Sequence, residues 1–194
     1  MPDLNLWLIR HGETEVNSGT WSKTPNETCL TARGIEQARK SAAQILRQPD
    51  LFIVSPVIRA QQTSEFFTQK WPKTPTINLP IQEFAYLSSQ RLGELSQAEI
   101  QANIKEYWQK CDPLFCDGKD AESFADFLKR VFAFYQAVLK MRGFVIAIGH
   151  GQFFKAFQLG LTHSFTPDAN WMRLFRKLET LNPIMNGEII KLDL

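Results

Sequence analysis

The sequence predicts an α/β fold, a three-layer sandwich with a mainly parallel central sheet flanked by helices. Residues 4–9, 51–54 and 144–148 are short apolar runs bounded by polar or turn residues, which suits strands buried on both faces of a sheet. Between them lie stretches in which apolar residues recur every three or four positions, as on one face of a helix. Strands alternating with helices in this way build a parallel sheet covered on both sides.

Taken in order, the first strand leads through a loop to Thr31, which can cap a helix carrying Ile35, Ala38, Ala42 and Ile45 on one side. Pro49 closes that helix before the strand at 51–54. After Ser55-Pro56 a second helix runs to about Lys70, with Pro56 suited to its first turn. A longer helix starts near Glu122-Ser123, with Phe124, Phe127, Leu128, Val131, Tyr135, Val138 and Leu139 on one face and Gly143 ending it. A short Phe-rich helix covers 152–159, and Ile189-Ile190 with Leu192 make a last strand. The Pro-rich stretch 71–80 and the irregular stretch 165–186 read as long connections rather than domain linkers. With no internal repeat, a single domain over residues 1–194 is expected.

Composition narrows the function classes. With 22 Lys and Arg against 20 Asp and Glu, the net charge is only +2, so neither nucleic acid nor an anionic membrane is an expected partner. No apolar run approaches the ~20 residues that span a bilayer. The three cysteines are an odd number, and Met1-Pro2-Asp3-Leu4 runs straight into a strand without a charged-then-apolar leader. A reduced, cytoplasmic protein is the simplest reading. Cys111 and Cys116 could be half of a metal site, but no second pair completes it, and plain thiols are expected. Nothing in the pattern bears on oligomeric state.

In an open α/β sheet ligands bind beyond the carboxyl ends of the strands. Those positions hold Arg10-His11-Gly12-Glu13-Thr14, then Ser55-Pro56 on to Arg59, and Gly149-His150-Gly151. Two guanidiniums at one edge make an anion site, because each grips phosphate or carboxylate oxygens with paired hydrogen bonds. A neutral imidazole among them is a good nucleophile toward phosphorus, since neighbouring cations disfavour its protonation. The glycines beside both histidines allow close backbone approach to a ligand. His163 lies outside every such motif.

The run Leu8-Ile9-Arg10-His11-Gly12-Glu13-Thr14, with Asn17 after it, resembles the signature of the histidine phosphatase superfamily, the phosphoglycerate mutase-like proteins. Leu30-Thr31-Ala32-Arg33-Gly34-Ile35-Glu36-Gln37-Ala38, Ser55-Pro56 to Arg59-Ala60 and Gln62-Thr63, and Gly149-His150-Gly151 resemble its other elements in order. The resemblance implies a phosphoglycerate mutase-like fold and a phosphomonoester hydrolase without metal or cofactor. Its ligand would be a small phosphorylated metabolite or inorganic phosphate. His11 would become phosphohistidine, with Arg10, Arg59 and His150 on the phosphoryl oxygens and Asn17 and Gly151 beside them. The general acid falls by position on Glu83, with Glu94 in Gly93-Glu94-Leu95 as the rival.

Departures from the family pattern fall at Thr24, Glu27 and Cys29 and across residues 84–88, which would border the substrate. Trp21, Lys23, Phe84 and Tyr86 are candidate pocket walls. At 194 residues the chain lacks room for the extra segments that enlarge the mutases, so hydrolysis is expected over phosphoglycerate mutase-type transfer. A non-catalytic phospholigand-binding module is the alternative from another class. A metallohydrolase built on His11, His150 and a carboxylate is disfavoured, since the arginines beside them would repel a cation and no H-x-x-x-H pair exists.

Overall fold

The computed structural model describes residues 4–17, 22 and 24–194. Its sheet has the order β3-β2-β4-β1-β5, formed by β1 (Leu4–Arg10), β2 (Leu51–Val54), β3 (Thr76–Asn78), β4 (Gly143–Gly149) and β5 (Ile189–Asp193). The first four strands are mutually parallel, and β5 runs antiparallel to β1 at the edge. The helices are α1 (Ala32–Ala43), α2 (Ile58–Lys70), α3 (Ser89–Leu92), α4 (Gln97–Lys110), α5 (Phe124–Val138), α6 (Gly151–Thr162) and α7 (Ala169–Leu181).

Side-chain alternation along the strands divides the interior into two cores. Leu4, Leu6, Leu8, Ile53, Val145 and Ala147 point toward α5, α6 and α7 and join Phe124, Phe127, Phe153, Phe157 and Phe175. Ile9, Phe52, Val54, Phe144, Ile146 and Ile148 point the other way, onto Ala42, Ala60 and Phe67 of α1 and α2. Each fully buried side chain of this kind contributes about 1.5–3 kcal/mol over its exposed state, so the sheet is clamped from both sides.

Several elements differ from the sequence expectation. The second helix begins at Ile58, with Val57 as its cap residue, so Pro56 precedes it and does not occupy the first turn. Helix α5 ends at Val138, and Gly143, at φ +80, instead opens β4, where a side chain would collide with the Asp50 carboxylate. Ile35 and Leu139 are 39% and 49% exposed, whereas Phe134 is buried on the inner face of α5. The Phe-rich helix extends to Thr162. Most importantly, the stretch 165–186 is not irregular. It contains α7, capped by the Asp168 side chain on the Trp171 N–H, with Trp171, Met172 and Phe175 buried.

Candidate active site

The carboxyl edge of the sheet is held by backbone pairing that continues one residue past the strands. The His11 N–H donates to Gly149 O at 2.9 Å, and the Ser55 N–H donates to Ile148 O at 3.0 Å. The loop after β1 is then pinned to helix α1. A Cβ on Gly12 would lie 2.2 Å from Gly34 O, and one on Gly34 would lie 2.1 Å from Glu13 O, so only glycine permits this approach. Gly12 N–H also donates to Thr63 Oγ1 at 3.1 Å, and Glu13 N–H to Gln37 Oε1 at 2.8 Å.

These constraints bring His11, Arg59 and His150 into direct contact. The His11 and His150 rings lie 4.9 Å apart, and both residues are almost wholly buried, as is Arg59. His11 Nδ1 lies 2.7 Å from Gly12 O, a partner that can only accept, so Nδ1 carries the ring proton and Nε2 keeps its lone pair. Arg59 Nε donates to that Nε2 at 3.1 Å, and Arg59 Nη2 lies 3.2 Å from His150 Nδ1. The guanidinium cannot accept, so His150 Nδ1 is the acceptor and Nε2 donates to Ser55 Oγ at 2.9 Å. Burial holds both imidazoles well below the ordinary histidine value, and positive charge adds to it, from Arg59 and then Arg10 for His11. Both rings are therefore neutral near pH 7.

Glu83 follows β3 and reaches the start of α6, where Oε1 accepts from Gln152 N at 3.0 Å and from Phe153 N at 3.3 Å. Burial raises its pKa, while Arg10, Arg59 and the backbone donors oppose the rise. Glu94, by contrast, is exposed and lines neither of the two main cavities.

Arg10 is tied to Ile184 O at 2.6 Å through Nη1, and its buried Nε has no hydrogen-bond partner among the described residues. Gly151 opens α6 beside it, and a Cβ there would lie 3.3 Å from Arg10 Cδ and Nε. Asn17 Oδ1 accepts from the Thr14 N–H and hydroxyl, each at 3.1 Å.

A cavity of about 270 Å³ is lined by His11, Asn17, Arg59 and Glu83 and extends past Phe84 and Tyr86. A second of the same volume, lined by Arg10, Gly151 and Gln152, shares Glu83, Phe84 and Tyr86 with the first. Trp21 and Lys23 lie outside the described residues. Several contributors escaped the sequence reading of the site. Ser55 and Thr63 stood in quoted motifs without a role, although their hydroxyls hold His150 and Gly12. Asn186, whose Nδ2 donates to His11 O at 3.0 Å, comes from a segment read as a bare connection. Pro25 and Ile184 act through backbone carbonyls on Arg59 and Arg10.

An α/β sheet presenting two neutral histidines, two arginines and a glutamate at its carboxyl edge defines an anion-binding class of site. The chain belongs to the histidine phosphatase superfamily (branch 1), whose family model matches residues 6–177. It is 29% identical to the adenosylcobalamin/alpha-ribazole phosphatase of Escherichia coli K12 across 67% of this chain and 66% of that protein. It is 30% identical to phosphoglycerate mutase 2 of Saccharomyces cerevisiae across 53% of this chain and 34% of that protein. The chain thus spans less than two thirds of either curated relative. Among solved structures, Entamoeba histolytica phosphoserine phosphatase with 3-phosphoglyceric acid superposes with a TM-score of 0.73 at 22% identity, covering 97% of this chain and 89% of that one. The alpha-ribazole phosphatase of Shigella flexneri gives 0.72 at 23% identity, covering 98% and 90%. These likenesses establish the phosphoglycerate mutase-like fold.

Proposed function

We propose that the chain is a phosphomonoester hydrolase that acts on a small phosphorylated metabolite through a phosphohistidine at His11. The observation that carries this reading is the fixed tautomer of His11, whose Nδ1 is held by Gly12 O and whose Nε2 lone pair faces Arg59. An arriving phosphoryl group draws the Arg59 donors onto its own oxygens and releases that lone pair for attack. Arg10 supplies its unpartnered Nε, and Asn17, with Oδ1 held by Thr14, offers Nδ2. A dianion also reverses the local field, so His150 can take a proton at Nδ1 and donate it as a hydrogen bond. Donors fixed in place before the reaction stabilise the transferring group without reorganising.

His11 Nε2 forms the P–N bond as the ester P–O bond breaks, and the electron pair leaves with the alcohol oxygen. Glu83, whose pKa is raised by burial, gives that oxygen its proton. The resulting carboxylate then takes a proton from water, water oxygen bonds to phosphorus, and the P–N bond breaks to release phosphate and restore His11. No step uses a metal, and Arg10 and Arg59 repel one from this place. The test is phosphate release with a phosphohistidine stable to alkali and labile to acid. Both should vanish in His11→Ala. Phosphate binding without turnover by the wild-type chain would instead favour a binding module.

A further inference from the structure

One side chain from the far end of the sequence reaches the loop that carries the nucleophile. Asn186 is partly buried, and its Nδ2 donates to His11 O at 3.0 Å and to Asn17 Oδ1 at 3.2 Å. The orientation of both amides follows from their partners. A backbone carbonyl can only accept, so Asn186 turns Nδ2 toward His11. Asn17 then meets two groups that can only donate, the Asn186 NH₂ and the Thr14 N–H at 3.1 Å, and offers them Oδ1. Its own NH₂ is thereby turned away from Thr14 and Asn186, on a residue that lines the first cavity with His11 and Arg59. The Thr14 bonds lie within one turn, closed by the Asn17 N–H on Thr14 O at 2.9 Å, so they fix the amide relative to its own loop. Asn186 fixes it relative to the backbone of the nucleophile.

Asn186 is itself held from several sides. The Glu188 N–H donates to Met185 O at 3.0 Å, closing a turn in which Gly187 takes φ +76 at the third position, where glycine is favoured. The Gly187 N–H donates to Arg10 O at 3.0 Å, and the Arg10 N–H donates to Glu188 O at 3.2 Å. Ser41 Oγ donates to Gly187 O at 2.6 Å, and Ile184 O receives Arg10 Nη1. One turn thus grips Arg10 at its backbone and guanidinium, and grips His11 and Asn17 through one amide.

We propose that Asn186 is a positioning residue, which holds the Asn17 NH₂ at the reacting phosphoryl group by bridging Asn17 to the nucleophile's own carbonyl. The proposal rests on the phosphatase reading. Asn186 lines neither cavity, so it acts through Asn17 and not on the substrate.

The test is a double-mutant cycle in kcat/KM for 4-nitrophenyl phosphate. Asn17→Ala should lose about 100-fold, as for one fixed donor to a transferring group. Asn186→Ala should lose about 10-fold, because the donor is present but misplaced. In the Asn17→Ala background the same change should cost less than about 3-fold, since the group it positions is gone. Asn186→Leu, which keeps the volume but not the NH₂, should match Asn186→Ala, and urea midpoints verify that each variant is folded. The same cycle for binding of inorganic phosphate, followed by calorimetry, should show the same coupling and needs no turnover. An Asn186→Ala loss that is equal with and without Asn17, or wild-type activity in either folded Asn186 variant, overturns the proposal. Loss of folding in both Asn186 variants assigns the side chain to stability and overturns it as well. If the wild-type chain binds phosphate without turnover, the phosphatase reading falls, and the coupling in phosphate binding alone decides the positioning role. Absence of both turnover and phosphate binding overturns the two together.

Discussion

Replacing Glu83 by glutamine separates proton donation from every other job that side chain does. Oε1 is engaged by the Gln152, Phe153 and Phe84 N–H groups, so the proton of the neutral acid sits on Oε2. In Glu83→Gln the amide oxygen can keep the three backbone bonds, and the NH₂ group replaces the protonated oxygen at nearly equal volume. Folding and the start of α6 should survive, while the transferable acidic proton is lost. General acid help is worth about 100- to 10,000-fold, and an alkyl ester, whose alkoxide cannot leave unprotonated, should lose that much in kcat/KM. An activated aryl ester, whose oxide departs without a proton, should lose less than about 10-fold in phosphoenzyme formation. The assay is rapid-quench measurement of phosphohistidine with both esters, alongside steady-state phosphate release. Glu94→Gln should leave the alkyl-to-aryl ratio unchanged, because Glu94 is exposed and lines neither cavity. Equal losses for both esters in Glu83→Gln would falsify the proton-donor role. A leaving-group dependence that followed Glu94 would move the role there.

Gly34→Ala places a methyl group 2.1 Å from Glu13 O. It should destabilise the protein by about 3 kcal/mol in urea unfolding, against the gain of up to ~1 kcal/mol that Gly→Ala usually brings inside a helix. A stabilised variant would show that the loop after β1 is not pinned as described. His11 and His150 are held neutral by burial and nearby positive charge, so below their unfolded value of about 6.5 the unfolded chain binds protons that the native state refuses. Each therefore removes up to about 1.4 kcal/mol of stability per unit as pH falls below ~6.5. Glu83, with its pKa raised, acts in the opposite direction, since its contribution is present at low pH and lost as pH rises through its folded value. Glu83→Gln should thus steepen the rise in urea midpoint between about pH 5.5 and 7, and a flat profile in that variant would contradict neutral histidines. Turnover should persist in excess chelator, and loss restored by a divalent ion would point to a metal-dependent reaction.

Much of this was legible in residue order because strands and their exits leave strong marks. The apolar runs at β1, β2 and β4 could be read from burial on both faces alone, and the residues just beyond them are the ones the fold gathers. Helix α7 was missed because Trp171, Met172 and Phe175 are spaced among Arg173, Arg176 and Lys177, which gives a narrow apolar stripe in a polar stretch. Its cap signal, Asp168 three residues before Trp171, was present but sits amid turn-forming residues. Helix α4 was also not read, although Ser96 and Glu99, whose side chains form a reciprocal capping box, carry a signature for it. Contacts such as Ile184 O on Arg10 and Pro25 O on Arg59 could not be read at all, since a backbone carbonyl carries no mark of residue type.

The arrangement at the sheet edge also answers a physical objection to itself. Two guanidiniums and two imidazoles packed beside one glutamate would be costly if every base were charged, because like charges in a poorly solvated site repel strongly. The fold avoids that state by leaving both histidines neutral and by giving Arg59 acceptors at His11, His150 and Pro25 O. The buried Arg10 Nε keeps a donor with no hydrogen-bond partner among the described residues, suited to an anion's oxygen. In the proposed mechanism the proton that the empty site refuses at His150 becomes favourable once a phosphoryl dianion sits there, whereas the raised pKa of Glu83 favours its proton beforehand. The lowered pKa of His11 and the raised pKa of Glu83, which suit the proposed nucleophile and acid, therefore share one principal cause. Both follow from placing the groups at the carboxyl edge of the sheet, where desolvation disfavours the charged form of each.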